Sequence, residues 1–134
     1  MRDIRHFKSS EEDFARKHAT DIFNIIAGRE TGSHIKSKEQ LIRAERYKDW
    51  HVDISTFNAI ISTDDKYGVE FRVHGVRHNG YIRIFNIGGN VYDIELRKVR
   101  GKSFKDEITA IGREYLHDAL YTCIMSSISK VSKN

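Results

Sequence analysis

The sequence has 134 residues and contains no proline, one cysteine and one tryptophan. Average usage would place about 7 prolines in this length. Their absence excludes a PxxP ligand, a polyproline spacer, a cis-proline turn and a proline-rich tail. Cys123, alone, cannot close an internal disulfide, which fits a reducing compartment. No apolar run approaches the ~20 residues that a bilayer helix needs. The first residues, Met1 to His6, are charged and lack the apolar stretch of a secretory signal, and no Asn-x-Ser/Thr sequon occurs. These absences predict a cytoplasmic protein without a membrane partner.

What is present is charge in balance. Hydrophobic residues make up 39% and charged residues 31%, a composition that folds rather than stays disordered. A single domain over 1–134 is the expectation at this length. The net charge is +4, but it is spread thinly: 11 basic against 9 acidic groups in 1–50, 7 against 6 in 51–101, and 5 against 4 in 102–134. No basic arm or tail follows from that distribution, so net charge by itself is a poor pointer to nucleic acid.

The periodicity divides the chain into a helical part (1–49), an antiparallel sheet (50–99) and a C-terminal helix (103–128). Ser9-Ser10-Glu11-Glu12-Asp13 has the form of a helix start, and Phe14, His18, Ile22, Ile25 and Ile26 recur at helical spacing up to Gly28, a C-cap candidate. Helix one is predicted over about 10–27. Ser37 followed by Gln40 has capping-box spacing, predicting a short helix to about Lys48. The period then changes to two: Trp50–Ile54, Phe57–Ile61, Val69–His74, Ile82–Ile84 and Tyr92–Leu96, with Asn79-Gly80 and Gly88-Gly89-Asn90 as turns. Burial selects a register for the last hairpin. A three-residue loop pairs Ile84 with Ile94 and Ile82 with Leu96 on one face, and sets Arg83 beside Glu95 and Tyr81 beside Arg97 on the other. Finally Ser103, with Asp106 three residues on, opens a row formed by Phe104, Ile108, Ile111, Tyr115, Ala119 and Cys123, read as one long amphipathic helix. The predicted class is α+β: an N-terminal helix plus a short helix, an antiparallel meander of three to five strands, and a long C-terminal helix packed on one sheet face.

The densest local charge is Arg97, Lys98, Arg100, Lys102 and Lys105, around Gly101 and Ser103. Placed at the N-terminus of the last helix, where free N–H groups and the dipole favour an anion, this corner predicts a phosphate site. Gly101-Lys102-Ser103 also has the ending of a P-loop, but the glycine that the pattern needs five residues earlier is Leu96. Gly28-Arg29-Glu30-Thr31-Gly32 resembles the GxxG loop of KH domains, with the glycines one residue too far apart and Glu30 where phosphate would lie. Helix, three strands and a helix with a basic start resembles double-stranded-RNA-binding domains over about residues 67–120. That resemblance implies phosphate contacts from Lys102 and Lys105; the lysine pair, the alanine-rich helix and the histidine-bearing loop of that family are not found here.

A second surface is the outer sheet face. Arg72, His74, Tyr81, Arg83, Phe85 and Glu95, with Glu70, Asp93 and Arg97, would present aromatic, arginine and mixed charge, the composition of a protein-docking surface. Seven histidines prompt a search for metal ligands, but no spacing such as His-x3-His or a cysteine pair occurs, so no metal and no small-molecule cofactor are expected. Asp93, Glu95 and Lys98 faintly suggest a nuclease set, which structural pairing of the same residues explains as well. Cys123 reads as core. The leading expectation is a small non-enzymatic protein that binds nucleic acid, or a nucleic-acid-binding protein complex, through the 97–105 corner. The alternative is an inhibitor or adaptor of the accessory, mobile-element type that docks through the sheet face, and the third reading is a metal-dependent nuclease. A homodimer is compatible with each.

Overall fold

The computed structural model describes residues 1–29 and 37–126. The elements are β1 (Ile4–Arg5), α1 (Glu12–Ile26), α2 (Lys38–Lys48), β2 (Asp53–Ser62), β3 (Tyr67–His74), β4 (Asn79–Gly88), β5 (Val91–Arg97), β6 (Phe104–Gly112) and α3 (Leu116–Met125). The six strands form one antiparallel sheet in sequence order. The class is therefore α+β, with one strand more than the three to five predicted.

Local chemistry sets the helix ends. Residues 9–11 form a 3-10 turn ahead of α1, and the start is fixed by the Glu11 carboxylate accepting the Lys8 N–H at 2.8 Å rather than by Ser10. At the other end Gly28 has φ +72, Gly28 N–H donates to Ile25 and Arg29 N–H to Asn24, a Schellman cap that the sequence anticipates. Gly28 is required twice over, because a Cβ there would lie 2.6 Å from the backbone of Gln40 and Ala44 in α2. The Ser37–Gln40 capping box is present in both directions at 3.2 Å. The KH-like loop falls on residues outside the described range beyond Arg29.

The long C-terminal helix is corrected. Residues 104–112 are strand β6, a 3-10 turn covers Arg113–Tyr115, and helix begins only at Leu116. Ile94 pairs with Ile108 and Tyr92 with Ile111, so Ile108 and Ile111 share a face although three residues apart. A bulge between them, where Ala110 adopts φ +57, absorbs the odd residue. The spacing that reads as helical is thus a bulged strand. Phe104 does not continue the row; it pairs opposite Arg97 on the other face. With a strand at 104–112, the order that resembles double-stranded-RNA-binding domains is lost, and Ser103 caps no helix.

The β4–β5 register is as the burial argument selects: Ile84 opposite Ile94, Ile82 opposite Leu96, Arg83 opposite Glu95 and Tyr81 opposite Arg97. Its turn is shorter than expected. Gly88 pairs with Val91, leaving two turn residues, and a bulge between Asn86 and Gly88 makes up the difference. Asn79-Gly80 is not a turn but the start of β4. Gly80 is glycine because a Cβ would stand 2.3 Å from the Arg97 carbonyl.

One face of the sheet carries the core. Val69, Phe71, Val73, Ile82, Ile84, Ile94 and Leu96 pack against Ile22, Ile25 and Ile26 of α1, against Leu120 and Ile124 of α3, and around Trp50. The sheet curls away from these helices. Laid flat, six strands would separate β1 from β6 by about 24 Å at ~4.8 Å per strand. Instead the Arg2 N–H donates to Glu95 of β5 at 2.6 Å, and the Met1 nitrogen reaches Glu107 of β6 at 2.7 Å. The second face is therefore concave and largely closed to water.

Candidate nucleic-acid interface

The basic corner lies on the connection from β5 to β6, not on a helix. A 3-10 turn at Arg100–Lys102 bends the chain with Gly101 at φ +66 and Lys102 at φ +51, and the Lys98 N–H closes the loop on the Ser103 carbonyl at 2.8 Å. Nothing lies within 4 Å of where a Gly101 Cβ would stand, so this backbone is open to approach.

The cations of the corner divide by partner. Arg97 is buried and donates to Glu95 at 2.6 and 2.9 Å, and to the Lys102 carbonyl at 3.0 Å. Lys102 reaches inward to Glu70 at 2.8 Å, with its ammonium 4.7 Å from the Tyr81 ring centroid. Lys105 lies 3.3 Å from His78 Nδ1. The His78 Nε2 faces the Tyr81 carbonyl at 3.1 Å, and a carbonyl only accepts, so Nε2 carries the proton and Nδ1 accepts from Lys105. Burial, with the charges of Lys105 and Arg72 adding to it, holds His78 below its ordinary value against the pull of the Tyr81 carbonyl. Lys98 and Arg100 remain exposed, and among the described residues no acid holds either side chain. Phe104, 38% exposed, adds an aromatic surface beside them, with the Arg97 guanidinium 5.9 Å from its centroid.

The outer sheet face is corrected. It is the concave face, and Arg83, Phe85 and Glu95 are buried in it, Arg72 and Tyr81 half-buried, and only His74 exposed. The pairing also differs from the sequence expectation. Arg83 sits opposite Glu95 in register, but its Nε bonds Glu70 Oε2 across β3 at 2.7 Å, and Glu95 takes Arg97 from its own strand. Tyr81 receives Arg72 at 5.8 Å and Lys102, not Arg97. Burial alone would raise the Glu70 carboxyl, but the bonds from Lys102 and Arg83 outweigh it and hold Glu70 below the usual carboxylate range. Asp93 is engaged on both oxygens, by the Arg2 guanidinium and by the N–H of the bulge residue Ala110 at 2.8 Å. No group of three or more metal-ligating side chains occurs among the described residues.

Sequence reading gave no part to Met1, Arg2 or Asp64, which act on this face through pairings 62 to 106 residues apart. It also missed a cleft of about 720 Å³ between α1 and the β4–β5 turn, lined by Lys17, His18, Asn24, Asn86 and others. Arg113 at its rim donates twice to Asp21 at 2.9 Å and once to the Tyr92 hydroxyl at 3.2 Å, and those bonds hold the Asp21 carboxyl below its ordinary value. No helix among the described residues is long and apolar enough to cross a membrane. The fold and surface thus define a small α+β domain with a charged concave interior. No family model, curated protein or solved structure matches the chain.

Proposed function

We propose that the protein is a non-enzymatic binding module that engages nucleic acid, or a complex that handles it, through the β5–β6 connection. The observation that carries this reading is the exposure of Lys98 and Arg100 without acidic partners, on an open glycine-bearing turn beside Phe104. Without a helix N-terminus there, affinity comes from side-chain charge. The mode is therefore phosphate contact with little base specificity and steep salt dependence. Lys102 and Lys105 have inward partners and contribute as a positive border.

Fluorescence anisotropy with single- and double-stranded oligonucleotides at low salt tests it. Lys98→Ala with Arg100→Ala should weaken binding uniformly across sequences and reduce the slope of log K against log salt by about 2. Binding unchanged by the double substitution, or absent from the parent protein, removes the proposal.

A further inference from the structure

The concave face holds a socket whose occupant is part of the chain. Arg2 donates through Nη1 to Asp93 and through Nε to Asp64 at 3.2 Å, and its guanidinium carbon lies 5.7 Å from the Phe85 ring centroid. Its main chain is held as well: the Arg2 N–H donates to Glu95 Oε2 at 2.6 Å, and Arg97 Nη2 donates to the Arg2 carbonyl at 3.5 Å. Two carboxylates on different N–H groups of one planar fork, above an aromatic ring, select a guanidinium over an ammonium, which is a point charge and cannot span both. The socket's groups have holding partners besides Arg2. Asp93 is fixed by the Ala110 N–H and Glu95 by Arg97, while Phe85 is fully buried. The tether around Arg2 is short: the Met1 nitrogen meets Glu107 at 2.7 Å, the Thr63 N–H donates to the Asp3 carbonyl at 2.8 Å, and strand β1 pairs Ile4 and Arg5 with β2.

We propose that Asp64, Phe85, Asp93 and Glu95 form an arginine-recognition site, closed in cis by Arg2 and open to an arginine in an extended segment of another molecule once Arg2 is displaced. The site shares none of its four residues with the β5–β6 connection, although Arg97 touches both, and it reads main chain and side chain together.

The test is chemical complementation. Arg2→Ala is titrated with ethylguanidinium and with propylammonium, following the thermal midpoint and the heat of binding. Ethylguanidinium should stabilise R2A saturably. It should bind at least about tenfold more tightly than propylammonium, and at least about tenfold more tightly than it binds the parent, where Arg2 competes at high effective concentration. The capped peptide Met-Arg-Asp-Ile should bind R2A more tightly still, and its Arg→Lys version should not. Adding Asp93→Asn to R2A should abolish the response, since the amide oxygen still accepts from Ala110 while the charge is lost. Equal responses to the two cations, equal responses of R2A and parent, or no response overturn the proposal. If R2A is unfolded, ethylguanidinium should restore folding where propylammonium does not, and failure to do so overturns it equally.

Discussion

Arg83 and Glu70 face each other across the β3–β4 pair with Nε 2.7 Å from Oε2, and both side chains are under a tenth exposed. A buried pair of this kind adds little net stability compared with an apolar pair, but either member alone is a buried, unmatched charge.

Glu70→Ala should therefore destabilise the fold by about 3–5 kcal/mol, because it strands Arg83 and frees Lys102 from its 2.8 Å contact. Glu70→Leu combined with Arg83→Met should cost less than Glu70→Ala alone. Urea denaturation of the three proteins checks the order, and a double variant as unstable as the single would contradict it.

His117 confers a distinct pH dependence. It is 1% exposed, with Nδ1 3.0 Å from the Ile26 carbonyl and its ring 5.0 Å from that of Trp50. Burial pushes its pKa down to about 4. An unfolded histidine titrates near 6.5, so the unfolded chain takes up the proton first. Stability is therefore full above about pH 6.5 and is lost as pH falls toward 4, by a total of order 3 kcal/mol. Carboxylates held low, such as Glu70 and Asp21, add their own loss only from the ordinary carboxylate range downward, so the upper part of the window, above about pH 5, belongs to the histidines. Denaturation at a series of pH values, read by fluorescence of Trp50, should show this loss, and His117→Gln should reduce it, leaving the part that His78, also held below its ordinary value by burial, contributes.

Gly28 and Gly101 both stand at positive φ, +72 and +66, but only Gly28 is pressed against another helix. Gly101→Ala should cost about 1 kcal/mol, the backbone term alone. Gly28→Ala should cost at least about 2 kcal/mol, because the methyl group also meets the α2 backbone at 2.6 Å. Thermal unfolding of the two variants checks the difference.

Cys123 is 7% exposed, and burial pushes its thiol up. Disulfide reagents should therefore label it only through opening of α3. Its rate should rise steeply with denaturant, whereas a fast, denaturant-independent rate would place the thiol at the surface.

The sequence by itself determined what depends on neighbours a few residues away or on simple burial. The Gly28 cap, the Ser37–Gln40 box and the Ile84–Ile94 register follow from cap geometry and from the period of two. Only tertiary structure decided the fate of 104–112. Ile108 and Ile111 satisfy a helix or a bulged strand equally well as a pattern, and the open edge of the otherwise buried β5 required a partner strand. The same holds for the charges. Alternation places Arg83, Glu95 and Arg97 on one face, but not that the sheet curls until that face closes over Arg2. Register fixes which residues share a face; curvature, set by packing along the whole sheet, fixes whether that face meets water.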